Sequence, residues 1–478
     1  MKTNLIKQEG LKFKVLSEDQ VKQVHYSTLD VLARTGVKIE CEEALHLLKD
    51  AGCYVEGYLV KLPPYLVQWA IDVCPEQVLL YDRLGNPKLS LRGYNTYFGL
   101  GPTLLNMIDP QTGKRRRFLR EDVAKAAKIV DALSNIDWVM GLGTISNLPY
   151  EYSDRYEFEA MVKNTIKPIV IWSYTKEGLG DIVEMASAVA GNLEKLIQKP
   201  FIVSYSEPIS PLTGDKNGIE KLLLAAQYGI PIIHTPCPQG GATAPATLAG
   251  EIVQANAENL SSLVIAQLKR KGVPFFIGGV LTIMDMSTAV MAYGAPEKDL
   301  ALAAYMDIAH YYGIPTWGTA GCTDSKIIDG QAAIEATFSC LFSFLSGANL
   351  VHDTGYMESA KTGSLEMIVM VDEIIGYIKR IMRGIRVDEE TLATEVINDV
   401  GPGGNFLTHK HTLKHSREEI WEPSLTDQKI YSKWVDDGSR RMSDRIKDKV
   451  KYILENYVPQ PLPEKVEKKI KKIMDRLK

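Results

Sequence analysis

Aromatic and acidic side chains recur in this chain at one kind of place, at or just after short apolar runs. Trp172 and Tyr174 follow Pro-Ile-Val-Ile, and Tyr205 and Glu207 end the next run; each pair is two residues apart and so lies on one face of an extended strand. His234 ends Ile-Pro-Ile-Ile-His, Trp317 ends Ile-Pro-Thr-Trp, His352, Asp353 and Tyr356 follow Asn-Leu-Val, and Tyr97 and Phe98 stand in the earliest run. Taken singly, each aromatic reads as core packing. Taken together, rings with a carboxylate suit a quaternary ammonium, which has no N–H to donate and is held by ring quadrupoles and net charge, at about 0.5–2 kcal/mol per good contact.

The elements that must position these residues form a cadence. Eight apolar runs, Thr96 to Leu100, Ile136 to Gly141, Pro168 to Trp172, Pro200 to Tyr205, Ile230 to His234, Val273 to Ile277, Ile314 to Trp317 and Asn349 to Asp353, each precede a Gly- or Ser-rich stop and a helical stretch. Runs apolar on both faces suit parallel strands, and their spacing fits a strand plus a crossover helix. The count predicts an α/β fold, a (β/α)8 TIM barrel with helical N-terminal and C-terminal additions, over an open doubly wound sheet, since no GxGxxG turn follows the first run. We divide the chain into an N-terminal helical and β addition over 1–93, the barrel over 94–385 and a helical extension over 386–478. In the first part Ser17 caps a helix that Gly36 ends, further helices span Cys41 to Ala51 and Pro64 to Val73, and Gln77 to Tyr81 and Leu89 to Tyr94 read as strands. The eighth barrel helix is expected over about Ser364 to Met382.

In this fold the loops after the strands build the active face. Gly141 to Gly143, Gly240 with Gly241, Gly278 with Gly279, and Gly318 to Gly321 fall there, and are expected to keep the mouth low enough for something large to approach.

Composition bounds the rest. The 478 residues are 45% hydrophobic and 24% charged with net charge −4, which is near the globular average and gives no electrostatic footprint for nucleic acid. No apolar segment approaches the roughly 18 residues of a membrane span, and Met1 to Lys7 lacks the core of a signal peptide, so the expected location is the cytoplasm. Six scattered cysteines without a CxxC pair argue against a zinc ribbon or disulfide framework; Cys237 and Cys322 read as packed small residues. His409, His411 and His415 share no helical face, and no tightly bound metal is expected. Lys114 to Arg117 reads as a solvated hairpin arm, and the last helix, with Val466, Ile470, Ile473 and Leu477 on one side, as docked on the body. The exposed helical additions leave room for a homo-oligomer.

Several longer segments carry a resemblance. Glu207-Pro208-Ile209-Ser210-Pro211-Leu212, Thr323-Asp324-Ser325-Lys326 with Asp329 and Gln331, His352-Asp353-Thr354-Gly355-Tyr356, and Val400-Gly401-Pro402-Gly403-Gly404-Asn405-Phe406-Leu407 are similar, in this order, to the trimethylamine methyltransferase family. The resemblance covers nearly the whole chain. It implies a TIM barrel whose mouth receives the cobalamin of a cognate corrinoid protein, and transfer of an N-methyl group to Co(I). Members acting on trimethylamine carry pyrrolysine near the seventh strand, whereas Gly318 to Gln331 here are all standard residues. The chain therefore resembles the non-pyrrolysine branch, which includes methyltransferases for glycine betaine, proline betaine, carnitine or γ-butyrobetaine. Physical chemistry agrees: a quaternary amine leaves as a neutral tertiary amine and needs no electrophilic side chain, whereas an uncharged tertiary amine would have to leave as an anion.

From strand-end position we expect Trp172, Tyr205, Trp317 and Tyr97 to form the cage, flanked by Phe98, Tyr174 and Tyr356. Glu207 would balance the ammonium, and His234, His352 and Asp353 would orient the substrate's carboxylate. Asp324, Ser325 and Lys326, with Gly240 and Gly241, would line the corrinoid side. Two rival readings use the same residues: a metal-dependent barrel isomerase or lyase, and a quaternary-amine-binding protein without catalysis.

Overall fold

The structure, a computed structural model, describes residues 11–477; the reading of Met1 to Lys7 lies outside the described residues. Eight parallel strands follow the predicted cadence: β1 (Tyr97–Gly99), β2 (Ile136–Trp138), β3 (Ile169–Trp172), β4 (Ile202–Ser206), β5 (Ile232–His234), β6 (Phe275–Gly278), β7 (Thr316–Thr319) and β8 (Leu350–His352). They are hydrogen-bonded in sequence from β3 to β8, then to β1 and β2. A parallel bridge between Val139 and Ile169 closes the ring, with the Val139 N–H on Pro168 O at 3.0 Å and the Val170 N–H on Val139 O at 2.9 Å. The strands are short and almost wholly buried, as their apolar composition requires between a packed interior and a helical jacket.

The jacket comprises α1 (Arg120–Ala132), α2 (Ser153–Asn164), α3 (Lys176–Ala190), α4 (Lys216–Tyr228), α5 (Leu248–Lys269), α6 (Pro296–Tyr312), α7 (Gly330–Ser346) and α8 (Leu365–Met382). Polar residues at the strand-to-helix turns start several of them. Thr175, Asp215, Asp329 and Ser364 each accept a backbone N–H of the first turn of α3, α4, α7 and α8, at 3.0 to 3.2 Å.

Cross-strand register fixes which side chains enter the barrel. Trp172 pairs with Tyr205 and Tyr205 with Ile233, while Gly278, Trp317, Leu350 and Tyr97 are matched across β6, β7, β8 and β1. Rings from non-adjacent strands touch: Trp317 of β7 lies 5.2 Å from Tyr205 of β4 and 5.4 Å from Trp138 of β2. This face therefore points inward, and alternation turns Phe98, Ser206, His234 and Val351 toward the helices.

The additions pack on this body. Ser17 and Gln20 form the expected capping box of helix Glu18–Asp30, whose last turn widens into a π turn over Val31–Thr35 before Gly36. That helix docks on α5 and α6: Asn256 Nδ2 donates to Thr28 Oγ1 at 3.0 Å and to the Tyr312 hydroxyl at 2.8 Å. A hairpin of Val78–Tyr81 with Pro87–Leu91 covers the lower end of the barrel; its second strand starts two residues earlier than expected. Arg115–Arg117 does form a hairpin with Asn106–Ile108, exposed as expected except at half-buried Arg116. Arg116 is clamped by Asp122 at 2.6 Å and Asp109 at 2.9 Å, and Arg115 by Glu358 at 2.8 Å. The last helix (Glu464–Met474) buries Ile470, Ile473 and Met474 near α3, where Arg476 meets Glu184 at 2.6 Å.

Between these anchors residues 383–440 form a thin arm in which Leu425 alone is buried. Its fastening is Glu373 of α8. The carboxylate accepts the N–H groups of Ser424, Leu425 and Thr426 at 2.8 to 3.2 Å and the Ser424 hydroxyl at 2.7 Å. Burial pushes the Glu373 carboxyl up, but these bonds together outweigh it and hold the group below the ordinary 4.5. Docking of the arm is then at full strength above pH 4.5 and weakens as pH falls through the depressed value. Glu373→Ala is expected to remove roughly 2–3 kcal/mol of arm docking. Limited proteolysis at neutral pH checks this: cleavage within 383–440 accelerates while the barrel fragment stays intact, and an unchanged cleavage rate would refute the fastening.

Candidate active site

The barrel interior is aromatic up to its C-terminal end. Tyr205 is 5.6 Å from Trp172, 5.2 Å from Trp317 and 6.1 Å from His352, and Trp317 lies 4.4 Å from His352. Tyr174 meets Trp172 edge-on at 6.5 Å. Trp138, absent from the expected site, joins the group from β2. Its ring fits because β1 ends in Gly99, where a Cβ would fall 2.2 Å from Trp138 Cδ2. The signal was present in the sequence, since Trp138 stands in the second apolar run.

Above the rings sit two carboxyl groups, Asp353 buried and Glu207 partly buried. Glu207 continues the inward face of β4 and takes a hydrogen bond from the Tyr205 hydroxyl. Asp353 follows His352 directly, so simple alternation would turn one of them outward. Its backbone is left-handed, φ 77°, which redirects the chain and brings both side chains to the same space, His352 Nε2 lying 3.4 Å from Asp353 Oδ2. Gly101 makes room for this: a Cβ there would fall 1.9 Å from Asp353 Oδ1 and 2.5 Å from the Tyr356 hydroxyl. The Tyr293 hydroxyl, from the loop between β6 and α6, donates to Asp353 Oδ2, and that of Tyr356 to Pro102 O. Tyr293 was missed because it follows a loop strand (Val290–Ala292) rather than a barrel strand.

Burial dominates the electrostatics. It pushes the Asp353 carboxyl up to about 7, against the hydrogen bond from Tyr293 and the charge of Lys298. It raises Glu207 too, opposed by the Tyr205 hydrogen bond and reinforced by Asp353. Burial lowers His352 to about 3, so its ring is neutral; Nδ1 lies 2.8 Å from Gly318 O, which can only accept, and Nε2 is left as a lone pair toward Asp353. Trp172 Nε1, Trp317 Nε1 and Asp353 Oδ1 are buried with no hydrogen-bond partner among the described residues. Convergent aromatic faces, two carboxyls and unused donors can hold a cation in a site from which most water is excluded.

Other expected residues lie elsewhere. Tyr97 faces inward but at the lower end, its hydroxyl 3.3 Å from the Ser90 N–H of the covering hairpin. Phe98 points outward onto Phe344 of α7, 5.0 Å away. His234 also points outward, its Nδ1 2.7 Å from Ser206 Oγ and its ring beside Gly218 of α4. His234 does end its strand but faces away, Phe98 also faces away, and Tyr97 opens β1 and so faces inward at the wrong end. Separation of His234 from His352 by the strand wall also breaks the His pair that a metal reading would use. In the tail His409 caps helix Lys410–Glu419, the His411 ring lies tilted against that of His415 at 4.3 Å, and His415 lies 3.4 Å from Glu390.

The residues expected on the corrinoid side are mostly internal fasteners. Asp324 accepts the N–H groups of Tyr293 at 3.0 Å and Gly294 at 2.9 Å and the Ser359 hydroxyl at 2.8 Å, so it ties the loops after β6, β7 and β8 together. Ser325 bonds Asp329 and Ile327 O, each at 3.0 Å, within its own loop. Lys326 is exposed, and Gly240 sits in a small sheet paired with Ile283. The glycines correct the expectation of a low mouth: a Cβ at Gly143 would strike Phe118 at 2.5 Å, at Gly278 the Trp317 carbonyl at 1.8 Å, and at Gly279 Pro236 O at 2.7 Å. They serve close internal packing. Gly241 is the exception, exposed and with φ 86°. Of the two cysteines, Cys322 is buried 3.4 Å from Lys298 Nζ, while Cys237 is partly exposed near the carboxyls.

Comparison with known proteins agrees with this architecture. The model of the family "Trimethylamine methyltransferase (MTTB)" matches residues 1–478. Trimethylamine methyltransferase MttB of Desulfitobacterium hafniense (strain DSM 10664 / DCB-2) is 34% identical over 457 residues, 95% of this chain and 92% of that protein. Glycine betaine methyltransferase of D. hafniense (strain Y51) is 32% identical over 455 residues, 94% of each. Among solved structures, Methanosarcina barkeri monomethylamine methyltransferase (MtmB) superposes with a TM-score of 0.53 at 13% identity, covering 99% of this chain and 90% of that one, which bears on the fold alone. A full-length match to the family model and relatives above 30% identity along nearly the whole chain place this protein in the trimethylamine methyltransferase (MTTB) family.

Proposed function

We propose that this chain moves an N-methyl group from a quaternary amine to the Co(I) of a separate corrinoid protein. The observation that carries the reading is the convergence of Glu207 and Asp353 on the rings of Trp172, Tyr205 and Trp317 at the C-terminal end of the barrel. A glycine betaine methyltransferase among the relatives, and ordinary side chains throughout Gly318 to Gln331, support a quaternary over a tertiary donor.

The rings would hold the ammonium by their faces and exclude water, and the carboxylates would balance its charge. What remains is positioning of one N–CH3 bond toward the mouth. The docked corrinoid supplies the nucleophile that accepts the methyl group. Exposed Leu105, Tyr150, Ile209, Met286 and Ile327, on the loops after β1, β2, β4, β6 and β7, form an apolar rim that fits a protein partner, and Gly241 with Met286 and Lys326 would hold the corrinoid edge. Asp324 and Ser325, already engaged within the loops, would keep that rim in shape.

Charge disperses as the methyl group leaves, so the cage binds the ground state more strongly than the transition state. Trp172→Ala is therefore expected to raise KM for the amine about tenfold and to change kcat by less than about threefold. Loss of the Co(I) absorbance with the cognate corrinoid protein reads both, and a normal KM in both Trp172→Ala and Glu207→Gln would remove the cage. Across a panel of methylated amines a quaternary donor should react fastest; trimethylamine as the best donor would overturn the branch assignment.

Asp353 adds a pH signature. A bound cation favours its charged form, so amine affinity is full above about 7 and falls as the group takes a proton below that value. In Asp353→Asn the affinity should be lower and flat between pH 6 and about 8. A wild-type profile that is equally flat would count against ionised Asp353 as the counter-charge.

A further inference from the structure

We infer that Glu258 of α5 is a positioning residue for the site: it braces the loop after β4 and so holds Glu207 where it meets the bound ammonium. This rests on the quaternary-amine reading above and adds to it a residue of the helical jacket.

Glu207 is the first residue beyond β4, so the strand ladder fixes its backbone from one side only. On the other side the chain runs to Asp215, the cap of α4, through a short turn in which Ile209 and Thr213 exchange N–H···O bonds at 2.8 and 3.0 Å. Within that turn Leu212 is left-handed, φ 51°, a conformation that a residue with a Cβ holds only when its surroundings impose it. Both of its backbone polar groups are engaged. Its N–H donates to Glu258 Oε1 at 2.9 Å, and its carbonyl accepts the Lys38 N–H at 2.9 Å from the strand Val37–Ile39 of the N-terminal addition. The Ser210 hydroxyl donates to Glu258 Oε2 at 2.7 Å.

Glu258 is 2% exposed, and burial pushes its carboxyl up against the bonds from Leu212, Ser210 and Gln254. Placing a carboxyl there costs stability, and the Ile209–Thr213 pair already closes the turn with backbone bonds alone. What the carboxyl adds is a link from the turn to α5, the longest helix of the jacket. The next residue of that helix, Asn259, is itself locked to the barrel: its Oδ1 accepts the Gly278 N–H at 3.0 Å and its Nδ2 donates to Gly278 O at 2.9 Å. Helix α5 thus carries the register of β6 to the turn, and Glu207 is pinned between β4 and a fixed point. A counter-charge needs such support, because a misplacement of about 1 Å in a water-poor site forfeits much of its effect.

Calorimetric titration of the full chain with tetramethylammonium and glycine betaine as probes, with hydrogen exchange of the turn followed alongside, tests this. Glu258→Ala is expected to weaken the tighter-binding probe about fivefold and to speed exchange at Leu212 to Gly214. Glu258→Gln, whose amide oxygen can still accept the Leu212 N–H, should restore both to within about twofold. Ser210→Ala, which leaves Glu258 in place, should give a smaller loss in the same direction and remains readable if Glu258→Ala does not fold. In a Glu207→Gln background Glu258→Ala should weaken binding less than about twofold, since the charge it positions is gone. Unchanged affinity in Glu258→Ala, or an undiminished loss with Glu207 already neutral, overturns the inference. Methyl transfer from an amine together with such additive losses upholds the methyltransferase reading alone. The expected cycle without methyl transfer from any amine upholds the brace alone, and binding of neither probe overturns both.

Discussion

Two carboxyl groups, one buried and one partly buried, at the top of an aromatic barrel are the constraint around which the loops of this protein are organised. Removing Glu207 and Asp353 from water costs enough to raise both above their ordinary values, and each is met by a phenol rather than a cation. The cost explains the fasteners around them. Asp324 and Glu335 tie the loops after β6, β7 and β8 together, Glu335 accepting the Thr323 hydroxyl at 2.5 Å and the Asp324 N–H at 2.8 Å, and so hold Tyr293 on Asp353. Gly101 and the left-handed backbone of Asp353 are the local distortions that let a strand-end pair, His352 and Asp353, face one space.

Such an arrangement is poised rather than settled. A carboxyl held near neutrality is the group most responsive to an arriving charge, and neutral His352, with its lone pair toward Asp353, offers no competing cation. A cation arriving there would favour the charged form of Asp353 and release its proton without any moving part.

The fold was legible because a parallel barrel writes itself into composition. Each of the eight strands overlaps its apolar run, five lying wholly within it and β4, β6 and β7 running one or two residues past its end, and Ser17 caps the first helix as expected. The site was legible in part. Trp172, Tyr205, Glu207, Trp317, His352 and Asp353 gather as expected, Tyr205 and Glu207 because spacing by two preserves a strand face, Asp353 only because its left-handed backbone turns it back beside His352. Phe98 and His234 escaped because a one-residue offset, invisible without register, reverses the face. Tyr97 lies on the right face at the wrong end. Tyr293 and Asp324 escaped for a different reason: loop residues are brought in by long-range hydrogen bonds that no local pattern records. The glycines misled because the same residue type serves an open mouth and a tight internal contact.

Trp317 and Tyr205 belong at once to the proposed binding surface and to the packed centre of the barrel, each about fully buried. Any change in their size would leave a void or a clash in the core before it altered ligand choice. Tyr293 and Tyr356, by contrast, stand on loops, where a change meets the hydrogen bonds to Asp353 and Pro102 O before it meets the packing between strands.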